Sequence, residues 1–195
     1  MSDGKFKNKY RIASARLPHW DYGRQAAYFV TICTKNRQHY FGSIQQGMMY
    51  LSDIGKIAEQ EWIKTPAIRP DMNLTLGEFV VMPNHFHGII IIGENSYNAP
   101  FPFPVETRCI ASLPETGTGT GKFVNQFGPQ SKNLASIMRG FKSAVTKNAR
   151  CMQADFAWQS RYHDHIIRNE TSFHNISQYI KNNPLHWQKD TFYNR

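Results

Sequence analysis

Half of the chain's eight histidines fall in two His-x-His doublets, His85/His87 and His163/His165. In a strand, side chains at i and i+2 leave the same face. A strand through Phe86 therefore presents His85 and His87 side by side, with Phe86 packed behind them. Two neutral imidazoles so placed make half of a site for a divalent metal. A pair of core or surface histidines has the same spacing, so the doublet alone leaves both readings open. The second doublet flanks Asp164 and follows Arg161 and Tyr162. Neither of its faces is plainly apolar. It reads as an exposed polar strand, or as a source of further ligands or phosphate contacts.

A third group lies near the C-terminus. Tyr179 and Asn183 stand at i and i+4, about 40° apart on a helix, beside the apolar stripe of Phe173, Ile176 and Ile180. A tyrosine hydroxyl is a nucleophile toward phosphorus once a metal polarises the phosphate and the phenol loses its proton. An amide oxygen one turn later can complete a metal site. An interfacial tyrosine near a helix-ending asparagine would look the same. Pro184 also biases Asn183 away from helical dihedrals.

Elements must hold these groups. Residues 27–34 are dense in aromatic and β-branched side chains and read as a buried strand. A hairpin follows, with Tyr40-Phe41 and Met48-Met49-Tyr50 on either side of residues 42–47. Ser52 can cap a helix with Ile54, Ile57, Ala58 and Trp62 at helical spacing, closed by Pro66 and Pro70. Residues 74–82 and 85–92 read as two strands around a Pro83-Asn84 turn. A helix from Asn133 carries Leu134, Ile137, Met138, Phe141 and Val145 on one face. Residues 156–167 read as a mixed strand, and 170–183 as a last helix stopped by Pro184. This order predicts an α+β fold, a sheet with helices packed on one face.

Between these elements, residues 98–132 hold five of the ten prolines and the run Thr116 to Gly121. They read as a flexible Pro/Gly-rich insertion, either a solvated linker or a lid. Residues 1–26 read as a basic N-terminal arm. The remaining division is a single domain over 27–187 and a C-terminal tail over 188–195.

At 195 residues the chain suits one domain with an insertion. A hydrophobic share of 41% excludes general disorder. The longest aliphatic run, residues 89–92, is far too short to span a membrane, and the N-terminus lacks a signal peptide's apolar core. A net charge of +9 suggests a polyanionic partner. The three cysteines, Cys33, Cys109 and Cys151, are widely spaced with no CxxC, which points to a reducing compartment and against a zinc ribbon.

The segments MPNHFHGIIII, the basic helix around Gly140-Phe141-Lys142-Ser143, RYHDHIIR and YIKNNP occur in that order. In this the chain resembles the single-tyrosine HUH (IS200-like) transposases, most closely the REP-associated tyrosine transposases. The resemblance covers about residues 24–187 outside 98–132. It implies a ferredoxin-like HUH endonuclease core acting on single-stranded or hairpin DNA, in the cytoplasm at the nucleoid. His85 and His87 match the family's metal ligands, Asn183 stands where a third polar ligand is found, and Tyr179 matches the nucleophile. Mg²⁺ or Mn²⁺ would serve as cofactor, with Mn²⁺ the better match to imidazole. Attack by Tyr179 would leave a 5′-phosphotyrosine and a free 3′-OH, and reversal would transfer the strand. Arg139, Lys142, Arg161, Arg168 and the N-terminal arm are candidate DNA contacts. The general base and the oligomeric state, monomer or homodimer, stay open. Two competing expectations are a domesticated hairpin-DNA-binding protein with little or no cleavage, and a small metallohydrolase using all four doublet histidines.

Overall fold

The computed structural model describes residues 17, 20–99 and 131–193. The insertion expected over 98–132 lies outside the described residues except at its ends, as does most of the N-terminal arm. Cys109 lies outside them too, while Cys33 and Cys151 are free thiols.

The chain builds β1 (Ala26–Cys33), a hairpin of β2 (Gly42–Gln45) and β3 (Met48–Leu51), α1 (Asp53–Ile63) and a short α2 (Thr65–Ile68). It continues with β4 (Leu74–Met82), β5 (His85–Ile92), α3 (Leu134–Ala149), β6 (His163–Ile167) and α4 (Glu170–Asn182). The main sheet has the order β4-β5-β1-β6, with every neighbouring pair antiparallel. With α1 between β1 and β4, and α3 between β5 and β6, this is the split β-α-β of a ferredoxin-like fold. The expected α+β class is therefore present.

Side-chain alternation divides the sheet into two faces. Tyr28, Val30 and Ile32 of β1, with Phe86, Ile90 and Ile92 of β5, face α1 and α3 in the larger core. There Trp62, Phe86 and Phe141 meet with ring centroids 4.7 to 5.3 Å apart. Ser52 accepts from the Gly55 amide to start α1, and Asn133 and Ser136 form a reciprocal capping box at α3. The last helix departs from the expectation of one covered face. Ile180, Phe173 and Ile176 of α4 pack on Ile89 and Ile167, on the side of the sheet away from α1 and α3.

Three boundaries also differ from expectation. The hairpin turns at Gln46-Gly47, where both φ values are positive (50° and 76°), so β2 occupies residues expected in the loop. Pro66 sits in the first turn of α2 rather than closing α1, a position where its missing N–H costs nothing. Only residues 163–167 of the expected strand over 156–167 pair with β1 as a strand. Phe156 instead plugs the end of the core, edge-on to Tyr40 and Trp158 and tilted against Phe41.

Candidate active site

The Pro83-Asn84 turn returns the chain into β5 so that His85 lies opposite Cys33 and His87 opposite Thr31. Both imidazoles point to the α4 side of the sheet, with centroids 4.5 Å apart. They are almost fully buried, at 0% and 1% exposure.

Each ring is held from behind. The Nδ1–H of His85 donates to Asn84 Oδ1 at 2.9 Å, because a carboxamide oxygen can only accept. Its Nε2 lone pair is left facing the site, buried and without a protein partner. Nδ1 of His87 lies 2.8 Å from Thr31 Oγ1. With that N–H donated to the hydroxyl, Nε2 accepts from the phenol of Tyr179 at 3.3 Å. The ring of Phe29 stacks on His87 at 5.3 Å and meets Tyr179 edge-on at 6.2 Å, bracing the pair.

Burial sets the protonation. It holds His85 well below the ordinary imidazole range, helped by His87 and Arg37. It lowers His87 to about 3, with His163 adding repulsion. Both are neutral at pH 7, which is the form that binds a metal. Tyr179 is raised above the ordinary phenol value by burial first and Asp190 second, against a lowering contact from Asn183. The nucleophile candidate is thus a neutral phenol until a cation comes near it.

Asn183 caps α4 with helical dihedrals (φ −56°, ψ −44°), despite Pro184. Its side chain is buried at the site. Nδ2 donates to Asp190 Oδ2 at 3.1 Å, and Oδ1 has no protein partner. Asp190 had no signal in the sequence, yet its carboxylate joins His85 and His87 in a group whose ligand atoms lie within 4.8 Å of one another. The segment after it closes over the rings. The Phe192 ring is 4.6 Å from His85, its carbonyl accepts from Asn84 Nδ2 at 2.8 Å, and Arg37 Nη1 donates to the Thr191 carbonyl. Two neutral imidazoles, the unpartnered Asn183 Oδ1 and the Asp190 carboxylate are a donor set suited to a divalent cation. A phosphate drawn to that cation would meet the Tyr179 hydroxyl.

The other sequence candidates are placed differently. His163 and His165 are exposed on edge strand β6, opposite Thr31 and Phe29, so they share the face of His85 and His87 without joining the group. Among the described residues the four histidines form no single cluster. Arg161 and Arg168, at either side of β6, are exposed. Arg139 and Lys142 belong to α3, across the sheet from Tyr179. Lys142 Nζ donates to the carbonyls of Gln159 and Arg161, at 2.9 and 3.1 Å, so its ammonium ties α3 to that loop. No described helix is long and apolar enough to cross a membrane.

No protein-family model matches the chain. An uncharacterized protein of Haemophilus influenzae is 39% identical over 181 residues, covering 92% of each chain. A solved structure of a REP-associated tyrosine transposase bound to a REP hairpin superposes with a TM-score of 0.53. It is 20% identical, and the match spans 90% of this chain and 74% of that one. At that identity the likeness is one of fold.

Proposed function

We propose that this chain, which belongs to one family with the Haemophilus influenzae protein and shares the fold of a REP-associated tyrosine transposase, is a metal-dependent single-stranded DNA endonuclease and strand-transferase acting on DNA hairpins. The observation that carries the reading is the Tyr179 hydroxyl 3.3 Å from Nε2 of a buried, neutral histidine pair.

His85 Nε2, His87 Nε2 and the Asp190 carboxylate would hold Mg²⁺ or Mn²⁺, with Asn183 Oδ1 as a further ligand from the tyrosine's own helix. Such a cation polarises a phosphate oxygen and stabilises the charge that builds on it. The chain does the rest. Thr31 and Asn84 fix which imidazole nitrogens face inward. In this reading α4 would present Tyr179 for in-line attack. The bond from Tyr179 Oη to phosphorus forms as the P–O3′ bond breaks, and the phenol proton ends on the departing 3′ oxygen, directly or through solvent. The products are a 5′-phosphotyrosine and a 3′-OH. Attack by another 3′-OH on that linkage restores the phenol and joins the strands without ATP. Exposed Arg161 and Arg168 beside β6 are the phosphate contacts this reading favours, along with the N-terminal arm, whereas Arg139 lies across the sheet from Tyr179.

One observation favours a second reading, a hairpin-DNA-binding protein with little cleavage: Phe192 lies against both imidazoles, 4.6 and 6.0 Å away. A single experiment separates the two. Labelled hairpin DNA with a single-stranded flank is incubated with the protein in Mn²⁺, Mg²⁺ or EDTA and run on a denaturing gel. The nuclease reading expects a metal-dependent covalent band that Tyr179→Phe abolishes while DNA binding persists. A band of equal yield in the variant overturns Tyr179 as nucleophile. Tight binding with no band under any metal favours the binder.

A further inference from the structure

Tyr179 faces two ways. Its hydroxyl touches His87, and the residue also lines a pocket of about 400 Å³ between α4 and the segment over residues 186–191, which adjoins the metal-ligand group through Asn183 and Asp190. That volume is within the range of small-ligand pockets, about 300–1,000 Å³. The α4 wall carries Asn175, Gln178 and Asn182, a stripe at i, i+3 and i+7. All three are exposed, and their carboxamides make no hydrogen bond to any described residue. The facing wall carries the Lys189 ammonium together with His186 and the Asp190 carboxylate, so it is no cluster of cations.

This lining has a chemical preference. A phosphate would be met by clustered cations, whereas three neutral carboxamides present paired donors and acceptors. Such pairs match the edges of nucleobases, as when Asn or Gln bonds an adenine through one donor and one acceptor. Enzymes acting on unpaired nucleotides read the base edge in this manner. A phosphate held at the Tyr179 hydroxyl has its neighbouring nucleotide beside this cavity, and Lys189 is placed for that nucleotide's own backbone.

We infer that the cavity lined by Asn175, Gln178 and Asn182 is a nucleobase subsite that selects the nucleotide adjoining the scissile phosphate. This rests on the proposed reaction for its purpose, but its test does not depend on cleavage.

The test measures equilibrium binding in EDTA by fluorescence anisotropy on the Tyr179→Phe protein, which keeps the cavity. The probes are four short single-stranded homo-oligomers, one per base, and an abasic oligomer of equal length. The expected result is about tenfold discrimination among the bases, reduced below threefold by Gln178→Ala/Asn182→Ala. Abasic binding should change less than twofold. A third protein, Gln178→Glu, should shift preference toward cytosine, whose exocyclic amine donates to a carboxylate. Unchanged discrimination in the double variant overturns the inference. Equal loss for the abasic oligomer also overturns it, since the lining would then serve the backbone. Matching thermal midpoints show that the variants are folded. Failure of the reaction itself would appear separately, as a missing covalent band with base discrimination intact.

Discussion

At the residue scale, two side chains behind the imidazoles decide what the histidine pair can do. Asn84 Oδ1 and Thr31 Oγ1 each take an Nδ1 position, leaving both Nε2 atoms for the interior of the site. Groups behind metal-binding histidines typically contribute 10- to 100-fold in affinity. We therefore expect Asn84→Ala and Thr31→Val each to weaken Mn²⁺ binding by about that factor in calorimetric titration, with Thr31→Ser restoring most of it. Unchanged affinity in both would show that the rings need no such orientation. The doublet and Tyr179 were legible because their geometry is local: i, i+2 on a strand, and a helix whose stripe is visible. Asp190 and Thr31 were not. The carboxylate reaches the histidines only because the chain turns back after Asn183, and Thr31 only because β1 pairs with β5 in one register. Neither relation leaves a spacing in the sequence.

At the element scale, β5 carries the site and is pressed onto the core from behind. Gly88 faces the α1 side, where a Cβ would lie 2.8 Å from both the Phe86 and Trp62 rings. Those rings are themselves packed against Phe141, so neither can simply move aside. Gly88→Ala should cost about 1–3 kcal/mol of stability, read as a lower urea midpoint with an unchanged slope. A midpoint equal to that of the parent would mean the strand has slack. The same strand shows why some of the architecture was readable and some was not. β4 and β5 have the bounds expected from sequence, because dense apolar runs there are broken by Pro83-Asn84. The face that α4 would cover was not readable. Residues 85–90 are buried on both sides of β5, so alternation carries no sign of which side is which. Residues 156–162 misled for another reason. Their aromatic content suits a strand, but Phe156 and Trp158 are consumed in closing the core, and Arg161 turns through a positive φ of 70°.

At the scale of the whole molecule, the buried site couples stability to proton concentration. His85 and His87 are held in the neutral form by burial, His87 with a pKa lowered to about 3. In the unfolded chain both return to about 6.5. The unfolded state therefore binds protons first as the pH falls, and the contribution of these residues is complete above about 6.5 and lost progressively toward 3. Each histidine can tilt the balance by up to about 1.4 kcal/mol per pH unit, against a total stability of order 5–15 kcal/mol. The loss would reach beyond the rings themselves, because β5, α4 and the segment carrying Asp190 and Phe192 all touch them. In EDTA, the thermal midpoint should hold steady from pH 8 to 7 and fall steadily below 6.5. Self-repulsion in a chain of net charge +9 would steepen any acid response, so the comparison that matters is with His87→Gln. That variant should start lower and fall less between pH 6.5 and 4. Parallel curves for the two proteins would assign the acid loss to surface charge instead. Mn²⁺ at about 100 times its Kd should add about 2.7 kcal/mol to the parent near neutrality. That gain should vanish as acid protonates the ligands, and His87→Gln should show little of it at any pH.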